Sequence, residues 1–189
     1  MRMNVIIISI KDAINKKCFL PALALSLVVP DICAQYDYPE FFDKKKKVKY
    51  NGHTGQGAAY AKWYDENIGK YDISPKTGIG LIDGWECWKL RCGFLHSASI
   101  DIDDKISTEE TKKHLKIVSS KFSNFDYGIG GISGVEYTED KKDMVIKIDI
   151  ANLCGKILAV LEHSYLHDED FINTTEKELL NYEEINYGI

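Results

Sequence analysis

The sequence lacks an excess of basic residues, a C-x-x-C pair, an internal repeat and a low-complexity linker. Its formal net charge of −5 argues against a protein that coats DNA, because such binding neutralises phosphates with a basic face. The five cysteines are odd in number and irregularly spaced, so reduced thiols are expected rather than a disulfide scaffold. A length of 189 residues, with 44% apolar residues, predicts one globular domain, residues 1–189, with a buried core.

The sequence also has no uninterrupted apolar run as long as the roughly 20 residues that a membrane span needs. The apolar stretch at 19–29 follows two lysines and precedes small residues, an arrangement that mimics a signal peptide. Pro30 and Asp31 interrupt the stretch, which favours a buried core helix in a cytoplasmic protein without membrane contact. Export is the alternative, and it predicts a mature protein that starts near Gln35.

Helical patterns cover most of the chain. A capping box at Ser9 predicts the start of a helical region that Pro30 ends. The further helical segments are 58–68, 83–95, 152–167 and a tail from Thr175.

Between these helices lies a segment with the pattern of β-strands. Residues 144–150 alternate apolar with polar side chains, and 132–137 supply a partner strand. The sequence therefore predicts a mainly helical fold, with a helical core at about 10–100 and 151–189. A small β-containing insertion at about 115–150 follows the helix that carries the motif described below.

Two features have both a structural and a nucleic-acid interpretation. A basic run in the first long loop consists of Lys44, Lys45, Lys46, Lys47 and Lys49. It is either a solvated loop or a patch that attracts the phosphates of RNA. The aromatic stripe on 58–68 is either core packing or a platform on which bases stack.

The segment 91–96 places Arg91 and His96 near the end of one predicted helix. An imidazole, with an ordinary pKa of about 6.5, can take the proton from a ribose 2′-hydroxyl. A guanidinium stabilises the negative charge that gathers on the phosphorus centre through paired N–H donors, without a metal. Because the 2′-hydroxyl is the nucleophile, an enzyme of this kind cuts RNA and spares DNA.

The same segment, RCGFLH, resembles the Arg-x(4–6)-His motif of the HEPN superfamily. The resemblance implies a helical bundle, a homodimer with two motifs facing each other, and metal-independent ribonuclease activity without a cofactor. It implies Arg91 and His96 as the catalytic pair, and by analogy a role as a toxin or phage-defence effector. Cys92 departs from the polar residue that many catalytic members carry after the arginine.

Helix geometry separates the two side chains of this pair. At about 100° per residue, His96 lies about 140° from Arg91, which falls in the middle of the apolar face. The pair is therefore completed either by a loosened last turn at Gly93 or by a second protomer. In the structural alternative, Arg91 is bonded to an acidic side chain and His96 faces the last carbonyls of the helix. Asp83 and Glu86 are expected to cap the helix.

Two further functional hypotheses remain open. The chain is either a non-catalytic HEPN-like module that dimerises or binds RNA or protein, or an antitoxin-like partner of a neighbouring defence protein. Zinc is disfavoured, because the spacing of Cys87, Cys92 and His96 does not match the usual ligand pairs. A metalloprotease site at His163 and His167 is also disfavoured, because the glutamate of that motif does not lie between them. A solvated helix end is expected there.

Overall fold

The computed structural model describes the backbone of residues 2–73, 80–97, 112–118, 134–137 and 143–178. Its helices are α1 Arg2–Asn15, α2 Phe19–Asp37, α3 Gly55–Asn67, α4 Gly84–Ser97, α5 Ile150–Val160 and α6 Glu169–Glu178. Its strands are β1 Lys49–Tyr50, β2 His53–Thr54, β3 Lys112–Val118, β4 Gly134–Tyr137 and β5 Asp143–Asp149. The predicted mainly helical fold with a small β insertion after α4 is confirmed.

One hydrophobic cluster takes buried side chains from all six of these helices and from β5. Helix α2 contacts α1, α3, α4 and α5. Its sequence is apolar on nearly all sides, and Leu23, Leu27 and Cys33 are fully buried, as expected for a helix covered by others. By length and composition α2 could also cross a membrane, a test that core helices pass as well, and 44% of its most apolar window is buried.

Two predicted helix limits near the N-terminus are wrong. Helix α1 begins at Arg2 rather than at Ser9. Helix α2 runs through Pro30 to Asp37 instead of ending at the proline. A proline inside a helix removes one backbone hydrogen bond, but here the side chains on both sides of it, including Cys33, are buried in the core. Tertiary packing therefore outweighs the local preference of proline.

Helices α3 and α4 meet with their backbones in close contact. A Cβ added at Gly84 would lie 2.0 Å from the carbonyl oxygen of Ala61, so only glycine fits at this crossing. The aromatic stripe of α3 faces inwards, and Tyr60, Trp63 and Tyr64 are fully buried. The core interpretation of this stripe is confirmed, and its aromatic faces are closed to bases.

The β insertion contains a three-stranded sheet in the order β3-β5-β4. Strand β5 matches the alternating pattern at 144–150, and the antiparallel β4 matches the partner expected at 132–137. The parallel strand β3 was missed by sequence reasoning. Strand β5 ends at Asp149, whose carboxylate caps α5 by accepting a 2.9 Å hydrogen bond from the backbone N–H of Asn152.

The C-terminal helices differ from the predicted ones in their limits. The helical segment expected over 152–167 consists of α5 and a π-helical turn at Leu161–Tyr165. The tail helix α6 begins at Glu169, six residues before the expected start. Asp168 accepts a 3.0 Å hydrogen bond from the backbone N–H of Phe171, which is fully buried. Residues 179–189 of the expected tail lie outside the described residues.

Candidate functional site

The helix that carries the Arg91–His96 segment has a firmly fixed start. The backbone N–H of Asp83 donates to Glu86 at 2.8 Å, and the backbone N–H of Glu86 donates back to Asp83 at 2.8 Å. This reciprocal pair is the predicted capping box. Asp65 of α3 adds an acceptor for the backbone N–H of Gly84 at 2.6 Å. The start of α4 is therefore fixed both by its own capping box and by Asp65 of α3.

Arg91 is bonded to a carboxylate from another helix. Its Nε donates to Asp31 Oδ2 at 2.9 Å, and its Nη2 lies 2.8 Å from the same oxygen. The side chains are 18% and 11% exposed, so the pair lies at the edge of the core. This carboxylate is the acidic partner that the structural alternative predicted for Arg91. Sequence reasoning treated Asp31 only as an interruption of the apolar stretch and did not identify it as this partner.

Asp31 links three helices through one carboxylate. Its Oδ1 accepts a 3.0 Å hydrogen bond from Gln56 Nε2 at the start of α3. Burial raises the pKa of Asp31, while the hydrogen bonds and charge of Gln56 and Arg91 oppose that rise. The carboxylate is thus poorly hydrated and depends on these two partners. It fixes the guanidinium relative to α2 and α3.

The structure does not place Arg91 and His96 on one side of the helix. Helix α4 continues as an α-helix through Gly93 to Ser97, so the hypothesis of a loosened last turn is not supported. A regular helix keeps the two side chains about 140° apart. Arg91 is half-buried, whereas His96 is exposed in the last turn. Completion of the pair by a second protomer stays a prediction.

An imidazole and two indoles form a series of ring contacts along α4 that ends at Arg91. The ring of His53 stacks on Trp85, with centroids 3.8 Å apart and 11° between the planes. Trp88 lies one helical turn further on, and the guanidinium carbon of Arg91 is 5.0 Å from the centroid of its ring. We call His53, Trp85, Trp88 and Arg91 the aromatic shelf. Sequence reasoning missed it, and the only local signal was the spacing of the two tryptophans on a helix.

Gly57 allows α3 to approach both indoles closely. A Cβ added at Gly57 would lie 2.8 Å from Trp88 Nε1 and 3.2 Å from a ring carbon of Trp85. The first turn of α3 therefore lies directly against both rings because this position has no side chain. On its other side, Trp88 meets the buried Tyr60, with ring centroids 5.2 Å apart.

The basic run leads into the hairpin that carries His53. Lys44, Lys45, Lys46, Lys47 and Lys49 are all exposed. Lys49 is in β1, opposite Thr54 of β2, and Tyr50 is opposite His53. The hydroxyl of Tyr50 donates to Asp65 at 2.8 Å, which fixes this hairpin beside the start of α4. The run and the shelf are thus joined by a short, anchored hairpin.

Within the part of the chain that the structure describes, the other candidate groups form no metal or nucleophile site with Arg91 or His96. Among the described residues, no group of three or more His, Cys, Asp and Glu side chains is placed to hold a metal ion. Burial raises the pKa of Cys87 to about 12, so its thiol stays protonated. A cavity of about 590 Å³ lies elsewhere, at the end of α2, and is lined by Ile32, Gln35, Tyr36, Pro39, Phe42, Thr174 and Thr175.

Comparison of the chain with protein-family models, curated proteins and solved structures found no match. The similarity of residues 91–96 to the HEPN motif therefore stays a prediction, carried by the residues of this chain alone.

Proposed function

We propose that this protein is a cytoplasmic, HEPN-like endoribonuclease that acts without a metal, as a homodimer. His96 is the general base, and Arg91 stabilises the charge on the phosphorus centre. The observation that carries the proposal is one helix that bears both groups, with Arg91 held in a single orientation and His96 exposed. By analogy with HEPN effectors, a toxin or phage-defence role follows from this activity.

The chemistry is transfer of a phosphate to the neighbouring 2′-oxygen. His96 takes the proton of the 2′-hydroxyl, the oxygen bonds to phosphorus, and the bond from phosphorus to the 5′-oxygen breaks. The products are a 2′,3′-cyclic phosphate and a 5′-hydroxyl, which receives its proton from a second acid. In a homodimer each site combines Arg91 of one copy with His96 of the other. The guanidinium of Arg91 faces the extra charge of the transition state.

The bond to Asp31 limits which nitrogen atoms of Arg91 are available to a phosphate. One Asp31 oxygen occupies the side of the guanidinium formed by Nε and Nη2. The guanidinium keeps a second terminal nitrogen that can donate to a phosphate oxygen. Because the neighbouring carboxylate offsets its charge, Arg91 orients the phosphate, and long-range attraction of RNA comes from the Lys44–Lys47 run and Lys49.

A second candidate function is a non-catalytic module that dimerises or binds RNA or protein. The ion pair between Arg91 and Asp31 favours it, since a structural arginine also needs such a bond. In that case α4 serves packing, and His96 has no role in catalysis.

Incubation of single-stranded RNA with the full chain in a chelator separates the two candidates. Cleavage to cyclic-phosphate or 3′-phosphate ends, lost in His96→Ala and Arg91→Lys, supports the enzyme. The lysine variant keeps the charge but loses the planar fork of donors. His167→Ala, an exposed histidine elsewhere, is the matched control. Equal cleavage by wild type and His96→Ala, or binding without cleavage, overturns the nuclease proposal.

A further inference from the structure

We propose that the aromatic shelf binds unpaired bases of single-stranded RNA and that the basic run guides the strand towards it. The inference rests on the proposed function for the identity of the ligand as RNA. It goes further by naming where the bases lie and which form of RNA is bound. It also gives His53, which has no part in the proposed chemistry, a role in substrate binding.

The exposed end of the shelf is a stacked pair of rings. His53 is exposed and lies flat on the half-buried Trp85. A ring held parallel to an indole at the surface presents its outer face to the solvent as a flat π surface. Unpaired bases stack on such faces of histidine and tryptophan, whereas the bases of a duplex already stack on each other. The pair therefore favours single strands.

The inner end of the shelf combines an indole with a guanidinium. Arg91 lies over Trp88, and Asp31 and Gln56 hold it there through hydrogen bonds. A guanidinium plane also stacks on bases, and it adds donors for a phosphate at the same place. Both indoles lie against Gly57, where an added Cβ would come within 3.2 Å of each. Stacking surfaces thus extend along α4 to the arginine that is proposed to contact the scissile phosphate.

The charge around the shelf suits a strand of RNA. The chain as a whole carries −5, so attraction of phosphates has to be local. The exposed Lys44–Lys47 run and Lys49 directly precede the turn that carries His53, and Lys49 lies in the same two-stranded hairpin. A strand that runs along this hairpin places its phosphates near the lysines and its bases on the rings.

Binding is measured with His96→Ala as the background, so that no RNA is cut. The probes are a fluorescent single strand of about 12 nucleotides, within the span that one such site covers, the same strand with abasic riboses, and a duplex of that length. We expect the intact single strand to bind about tenfold more tightly than either other probe. Binding should also change tryptophan fluorescence, because bases come to lie next to the His53 ring and the Arg91 guanidinium that cover two of the three indoles.

The variants test the shelf itself. His53→Ala should weaken binding of the intact strand about tenfold, whereas His53→Phe, which restores a stacking ring, should stay within about twofold. His163→Ala, at another exposed histidine, is the matched control and should change nothing. The abasic strand should lose little affinity in His53→Ala.

The outcomes separate this inference from the nuclease proposal. If His53→Ala binds the intact strand as tightly as the background, or if abasic and intact strands bind equally, the shelf is not a base site. Cleavage by the wild type in that case keeps the nuclease proposal. If the wild type neither cuts nor binds any of the probes, both proposals fail.

Discussion

The guanidinium of Arg91 in α4 bonds through Nε and Nη2 to a single oxygen of Asp31 in α2, at 2.9 and 2.8 Å. The two residues are 60 positions apart in the chain, so the bond ties the motif helix to the central helix. It also joins stability to the proposed function, because the bond that packs α4 holds the same guanidinium that the proposal assigns to a phosphate.

Asp31→Asn should lower the free energy of unfolding by about 1–2 kcal/mol. The change leaves a half-buried guanidinium without its charged partner, but the loss stays below the roughly 3–5 kcal/mol of a fully buried pair. The expected loss is smaller because the side chains of Arg91 and Asp31 are 18% and 11% exposed. The variant also removes the cost of burying a carboxylate. Urea unfolding followed by circular dichroism measures the difference.

The control for this prediction is Asp12→Asn, which breaks the exposed pair of Asp12 with Lys16 in α1. It should change stability by less than about 0.5 kcal/mol. Losses of equal size in the two variants would show that the bond between Arg91 and Asp31 contributes no more than a surface pair.

Gly84→Ala should prevent the close crossing of α3 and α4. Its added Cβ would lie 2.0 Å from the backbone oxygen of Ala61, and backbone atoms cannot move aside as a flexible side chain can. We expect a loss of more than about 3 kcal/mol or failure to fold.

Gly155→Ala is the matched control in α5, where an added Cβ meets nothing within 4 Å. There the gain in helix propensity should stabilise the fold by about 0.5–1 kcal/mol. Thermal unfolding of the two variants checks the contrast, and a stable Gly84→Ala would refute the crossing.

Local patterns in the sequence identified the elements but not their partners. The capping box at Asp83 and Glu86 was predictable because it closes within one turn of helix. The need of Arg91 for a carboxylate, a phosphate or a wet interface followed from the cost of burying a charge. That the carboxylate is Asp31 depends on how α2 and α4 pack, and no local pattern records that arrangement.

The aromatic shelf escaped sequence reasoning for the same reason. His53 belongs to a short hairpin and Trp85 to the first turn of α4, and only the fold brings their rings together. Pro30 shows the opposite case, in which a strong local signal misled. Its preference to end a helix is real, but burial of the helix on both sides of it prevailed.

The stability of the protein should depend on pH through Asp65. Burial raises the pKa of this carboxyl above its ordinary value of 3.8, so the folded state holds the proton to a higher pH than the unfolded state does. This contribution is fully present below pH 3.8 and is lost as the pH rises through the folded pKa. Asp65→Asn cannot titrate, so its stability relative to wild type should rise over that window.

Urea unfolding of both proteins at a series of pH values from acid to neutral measures this difference. Other titrating groups largely cancel, because they are common to both proteins. The asparagine keeps an oxygen that can accept from Gly84, which limits other changes at the start of α4. A difference that stays flat or falls with pH would contradict the assigned direction.

Mixing two inactive variants should restore ribonuclease activity if each site takes one residue from each of two copies. Helix α4 keeps Arg91 and His96 apart within one chain, so a heterodimer of Arg91→Ala with His96→Ala rebuilds one intact site. Random exchange makes half of the dimers mixed, with one of two sites intact, which predicts about one quarter of wild-type activity. The measurement is cleavage of single-stranded RNA after exchange, with heterodimers counted by two different affinity tags. Each variant alone should be inactive. Confirmed heterodimers that stay inactive would rule out a site shared between copies.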